Sequence, residues 1–126
     1  MRILAIDDDP ALGAMLATCN AAVAPAARHE FVLATSDEAA LSLLEADTAF
    51  DLALVSVDGG AVSGLSIFRR LVDRSLRVPR VALSAGQDVR RVKSAIGDGA
   101  ADILLKPLDA EEFAPAIERV MQRVAR

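Results

Sequence analysis

The sequence contains no tryptophan and no tyrosine, and only one cysteine and one histidine. A single thiol, Cys19, rules out an internal disulfide. It stands among Met15, Leu16, Ala22 and Val23, on what the spacing predicts is a helix face, and reads there as a small buried hydrophobe rather than a nucleophile. His29 comes just before an apolar run instead of after one. A Ser-His-Asp or Cys-His site therefore has no base at the position where it would be needed, and His29 reads as a surface or turn residue. No segment approaches the ~20 consecutive apolar residues of a membrane span. An apolar run begins after only two residues, which leaves no room for a secretory signal, so the expected location is cytoplasmic. The formal net charge of −4 argues against nonspecific attachment to nucleic acid or to an anionic membrane.

What the chain has in quantity is aliphatic side chains. Of its 126 residues 53% are hydrophobic, enough for one domain, residues 1–126, with a core of its own. Five short apolar runs recur, at Ile3–Ile6, Phe31–Ala34, Leu52–Val57, Val81–Leu83 and Ile103–Leu105. Most lack polar alternation, as strands covered on both faces do. Helical patterns separate them. Pro10 is placed to open the first, whose apolar face is Leu12, Met15, Leu16, Cys19 and Val23. The second follows Ser36–Asp37 with Ala40, Leu43 and Leu44 inward. The third starts near Ser63 with Phe68, Leu71 and Val72, and the fourth carries Val89, Val92 and Ile96 and stops near Gly97 or Gly99. The fifth follows Asp109, which with Glu112 resembles a capping box, and has the stripe Phe113, Ile117, Val120, Met121 and Val124. Five βα units in succession predict a single doubly wound α/β domain: a parallel sheet, helices on both faces, right-handed crossovers.

Ligands of such folds bind beyond the carboxyl ends of the strands. There the sequence places Asp7, Asp8 and Asp9 after the first run, Ser56 and then Asp58 after the third, Ser84 after the fourth, and Lys106 with Pro107 after the fifth. Each has a plain explanation alone: acids ahead of a helix favour its dipole, a serine ending a strand binds backbone, a lysine before proline is solvated. Together they would bring acids, hydroxyls and one ammonium to a single crevice.

The ordered set resembles the receiver domain of bacterial response regulators, over nearly the whole chain. "RILAIDDDPAL" is similar to that family's opening strand and puts its acidic pair at Asp7 and Asp8. "VPRVALSAG" is similar to its fourth strand, with Ser84 as the switch hydroxyl, and "GAADILLKPLDAEEF" to its ending, with the lysine–proline pair at Lys106 and Pro107. "DLALVSVDGGAVSGL" aligns without a gap to the segment bearing the phosphorylated aspartate and puts Ser56 at that position. The resemblance implies a flavodoxin-like sheet of order 2-1-3-4-5 and a cis Lys106–Pro107 bond. In the family, the aspartate takes a phosphoryl group from a kinase phosphohistidine. The acidic pair, the acceptor and a backbone carbonyl two residues on, here that of Asp58, hold Mg²⁺. The lysine contacts the phosphoryl group.

Several residues depart from that pattern. Ser56 is neutral, a poor nucleophile without an adjacent base, and no histidine is positioned to supply one. Gly60 stands where the family usually has proline, and Ile103 replaces the aromatic that turns inward on phosphorylation. The expectation is an atypical receiver, not an enzyme. It would act as an interaction module whose partner is a histidine kinase, an output domain or another receiver, with Mg²⁺ bound weakly or not at all. A second copy could dock through the fourth and fifth helices, where Arg90, Arg91 and Lys93 form a basic edge that a solvated face also explains. Two other readings stay open. One is a phosphorylatable receiver with Asp58 as displaced acceptor. The other is a small metal-dependent phosphatase of the haloacid-dehalogenase type, echoed by Asp7-x-Asp9, Ser84 and Lys106 but lacking a downstream acidic motif and a cap. A flavodoxin fits less well, because three aspartates at the first loop repel phosphate.

Overall fold

The computed structural model describes residues 1–46, 50–57, 78–86, 90 and 100–124. Five parallel strands form one sheet: β1 (Arg2–Ile6), β2 (Glu30–Ala34), β3 (Leu52–Ser56), β4 (Arg80–Ser84) and β5 (Asp102–Leu105). Their order across the sheet is β2-β1-β3-β4-β5, as the family resemblance implies. Among the described residues three helices flank it, α1 (Leu12–Ala21), α2 (Asp37–Ala46) and the C-terminal α3 (Ala110–Val124). The third predicted helix, and all of the fourth but Arg90, lie outside the described residues.

The continuous apolar runs are explained by burial on both sides. Leu4, Ile6, Ala53, Val55 and Ala82 face a core shared with Ala40, Leu41 and Leu44 of α2. Their neighbours Ile3, Ala5, Leu52, Leu54, Val81 and Leu83 face a second core with Leu12, Leu16 and Cys19 of α1 and Phe113, Ile117 and Val120 of α3. Successive strand residues point to opposite faces, so a strand buried twice has no polar position. Burial, and secondarily the nearby Asp109 charge, pushes the Cys19 thiol above its ordinary pKa, in keeping with a packing role.

Local details differ from the sequence reading at several points. Pro10 lies in a turn ahead of α1 rather than in its first helical turn, because Asp9 takes the next amides itself: its Oδ1 accepts from Ala11 N–H at 2.9 Å and its carbonyl from Leu12 N–H at 3.2 Å. In α2 the buried leucines are Leu41 and Leu44, with Leu43 half-buried. The Asp109 carboxylate accepts from Glu111 N–H at 2.8 Å, one residue earlier than a capping box requires, and the described contacts hold no return bond from Glu112. A 3-10 turn at Pro25–Ala27, which the periodicity does not signal, leads into β2. The C-terminal helix also runs through Pro115 without interruption. The proline is exposed, so the Glu111 carbonyl that loses its partner faces water rather than core.

His29 is more engaged than a plain turn residue. Its backbone N–H donates to Asn20 Oδ1 at 3.0 Å, and Asn20 Nδ2 donates to its carbonyl at 2.7 Å, tying the end of α1 to the start of β2. The ring lies edge-on to Phe31, and Nδ1 is 3.4 Å from the N-terminal amine. Burial, and then the adjacent ammonium, lower its pKa below the ordinary 6.5. A lowered folded-state pKa means that the unfolded chain takes up the proton first. His29 should therefore contribute a modest loss of stability that sets in as pH falls through about 6.5 and is complete below its folded value. Urea midpoints of the parent should fall more steeply from pH 7 to 5 than those of His29→Gln; parallel curves would remove His29 from the acid response.

Candidate functional site

The parallel sheet brings the expected residues to one end. Ile6 of β1 pairs with Val55 of β3, so Asp7 and Ser56 follow at adjacent strand ends. Ser56 pairs with Leu83 of β4, one residue before Ser84, and Ser84 pairs with Leu105 of β5, one residue before Lys106. Hydrogen bonding continues past the formal ends. Asp7 N–H donates to Ala34 O at 3.0 Å, Val57 N–H to Leu83 O at 3.0 Å and Lys106 N–H to Ser84 O at 2.8 Å, which fixes where each side chain leaves the sheet.

Asp7, Ser56 and Ser84 are buried, with exposures of 4%, 2% and 0%. Buried polar side chains need partners. Asp7 Oδ1 accepts from Asp9 N–H at 3.0 Å, which also shapes the loop into α1. Asp7 Oδ2 is buried, makes no hydrogen bond to a neutral donor among the described residues, and forms an ion pair with the Lys106 ammonium. Asp7 and Lys106 stand on strands separated by β3 and β4, so the lysine spans the ends of the strands that carry Ser56 and Ser84. The Lys106–Pro107 bond is cis. Asp8 is exposed and engaged in contacts of its own. Ile103 is half-buried and packs against the core on the α2 side of the sheet. Asp58 and Gly60 lie outside the described residues.

Ser84 is held by a feature that the sequence reading missed. Its Oγ accepts from Gly86 N–H at 2.9 Å, and Gly86 has φ +78. A side chain strains that left-handed backbone, while a Cβ there would meet Leu105 Cδ2 at an ordinary 3.6 Å. The available signal was a glycine two residues after a strand-ending serine, the spacing of a serine turn. Gly86→Ala should cost about 1–2 kcal/mol through backbone strain alone. A chemical denaturation series checks this: an unchanged midpoint would show that the loop relaxes to negative φ.

The chemistry available here is that of a short acidic crevice containing its own ammonium and two neutral hydroxyls. Among the described residues no group of three His, Cys, Asp or Glu side chains is arranged to hold a metal ion.

The family model for the response regulator receiver domain matches residues 3–118. The chain belongs to that family. Among curated relatives it is 34% identical to the two-component response regulator ARR12 of Arabidopsis thaliana over all of this chain, and 31% identical to the two-component response regulator ORR23 of rice over 98% of it. The chain spans about a fifth of the length of these relatives, 20% and 17% respectively. Among solved structures it is similar to the chemotaxis protein CheY4 of Vibrio cholerae, with TM-score 0.79 at 21% identity, covering 94% of this chain and 97% of that one. A two-component response regulator from Clostridium difficile gives TM-score 0.81 at 20% identity, covering 100% and 99%. At such identities these structures establish the fold. Receiver domains are signalling modules of two-component systems that interact with histidine kinases and output domains, and they typically bind Mg²⁺ at the phosphorylation site. In this receiver no described helix is long and apolar enough to cross a membrane.

Proposed function

We propose that residues 1–126 act as one atypical receiver domain, a cytoplasmic protein-interaction module of a two-component or phosphorelay pathway that works without conventional aspartyl phosphorylation. The observation that carries this reading is the neutral, buried Ser56 at the end of β3, beside Asp7. In this reading Ser56 occupies the acceptor position, Asp7 and Asp8 the acidic pair, Ser84 and Ile103 the switch positions, and Lys106 with the cis Pro107 the lysine–proline pair.

A serine hydroxyl needs a base to become a nucleophile. His29 stands just before β2, at the amino end of the parallel strands, whereas Ser56 ends β3 at the carboxyl end. Strands of this length separate the two ends by roughly 15 Å. A phosphoserine, if formed, would be a stable ester without the lability of an acyl phosphate, so a reversible cycle could not run through it. The partner is then recognised by the surface of the fold: a histidine kinase, an output domain, another receiver, or a second copy through the fourth and fifth predicted helices. Mg²⁺ is bound weakly or not at all.

Incubation with acetyl phosphate and Mg²⁺, followed by intact mass measurement, tests the reading. The parent should gain no phosphoryl group. Labelling that disappears in Asp58→Asn would overturn it in favour of Asp58 as a displaced acceptor.

A further inference from the structure

Resting on that reading, we infer that Lys106 is the resident cation of this pocket and that the pocket is consequently set against divalent metal. A receiver whose acidic crevice is balanced from within has a charge state independent of Mg²⁺.

Three observations on separate strands support this. Asp7 is the buried carboxylate of the crevice, with its side chain 1% exposed, and both its oxygens are engaged: Oδ1 by Asp9 N–H and Oδ2 by the Lys106 ammonium. Lys106 is itself largely withdrawn from water, its side chain 13% exposed. Ser56 brings no charge to the neighbouring strand end. Mg²⁺ demands near-octahedral oxygen ligands at about 2.0–2.1 Å and gives up its waters reluctantly. To reach Asp7 Oδ2 it must displace the ammonium or sit beside it, and two cations at one carboxylate oxygen repel in a site of low dielectric. Displacement is equally disfavoured, because a withdrawn ammonium left without a partner is costly. An aspartate at position 56 would take over the released lysine and supply the metal with a further oxygen. A serine does neither. The residues present therefore do not fit the metal that the family typically binds: the acidic pair is intact, but with a serine at position 56 the lysine stays on Asp7 and blocks it.

Calorimetric titration of MgCl₂ at constant ionic strength separates these contributions. The parent should show no measurable heat of binding. Lys106→Met should tighten Mg²⁺ at least tenfold into the measurable range, although Ser56 is unchanged, and Ser56→Asp should tighten it as well. If Ser56→Asp binds and Lys106→Met remains silent, the missing charge at position 56 excludes the metal and the role given to Lys106 is overturned. Thermal unfolding of the parent gives a second readout that needs no variant. Its midpoint should be the same with Mg²⁺ as with NaCl of equal ionic strength, because a ligand that binds only the folded state raises it. A Mg²⁺-specific rise would overturn the inference directly. Neither result bears on acetyl phosphate labelling, so failure here leaves the reading of Ser56 standing, and failure there leaves the role of Lys106 standing.

Discussion

Ser56→Asp is expected to convert the chain from one that takes no phosphoryl group from acetyl phosphate to one that is labelled. The substitution returns a carboxylate to the buried end of β3, beside Asp7. The reaction is simple: a carboxylate oxygen attacks phosphorus, the bond to the bridging oxygen breaks, and acetate leaves with that oxygen. What the parent lacks is the charged nucleophile. The new carboxylate also offers Lys106 a second anionic partner, which releases Asp7 from its present ion pair and makes room for Mg²⁺. Ser56→Asn is the control, since it adds nearly the same volume without charge and should remain unlabelled. Hydroxylamine should remove the label from the aspartate variant, because an acyl phosphate is cleaved by that reagent and a phosphoserine is not. A folded Ser56→Asp protein that stays unlabelled in the presence of Mg²⁺ would show that position 56 is not in the reactive crevice.

Lys106→Met should destabilise the fold by about 3–5 kcal/mol, the usual cost of removing one partner from a buried ion pair. The residue left behind is Asp7, whose side chain is 1% exposed and whose second oxygen has no other described donor. Against a total stability of about 5–15 kcal/mol this is a large fraction. Asp7→Asn should cost less, because the ammonium it strands is 13% exposed, against 1% for the carboxylate, and its flexible stem can carry it to water. Asp7→Asn with Lys106→Met should recover much of the loss, since both charges are gone and only packing and one backbone contact are disturbed. Urea unfolding of the parent, both single variants and the double variant closes the cycle. Strictly additive costs would mean that the ammonium and the carboxylate do not stabilise each other, and the pair would lose its place in the account of the pocket.

Much of the fold was legible because periodicity reports local conformation. The runs at Ile3–Ile6 and Leu52–Val57 have no polar alternation because both faces of β1 and β3 are covered. The stripe Phe113, Ile117 and Val120 reads directly as the buried face of the C-terminal helix. Leu43 and Leu44 both pack against the core as read, but the more buried Leu41 was missed, because α2 offers leucines at three nearby positions and only the rotation of the helix against the sheet ranks them. The start of α1 was misplaced for a related reason. Proline suits a first helical turn, but Asp9 claimed the amides that follow it.

By itself the sequence determined the five strands with the first, second and last helices, the residue types at the strand ends and the neutral character of position 56, because each depends only on neighbours along the chain. The tertiary structure alone decided which of those residues meet. Lys106 could have turned toward Asp7, Ser56 or Asp58. It pairs with Asp7, on a strand end separated from its own by β3 and β4, and the strand-end hydrogen bonds fix the two backbones from which the side chains reach. Ser84 could have faced the crevice freely, yet its hydroxyl is held by Gly86 because that glycine adopts a left-handed backbone. Side-chain partnership across strands depends on register and on the competition among donors for buried oxygens. Neither is encoded in the spacing of residues along the chain.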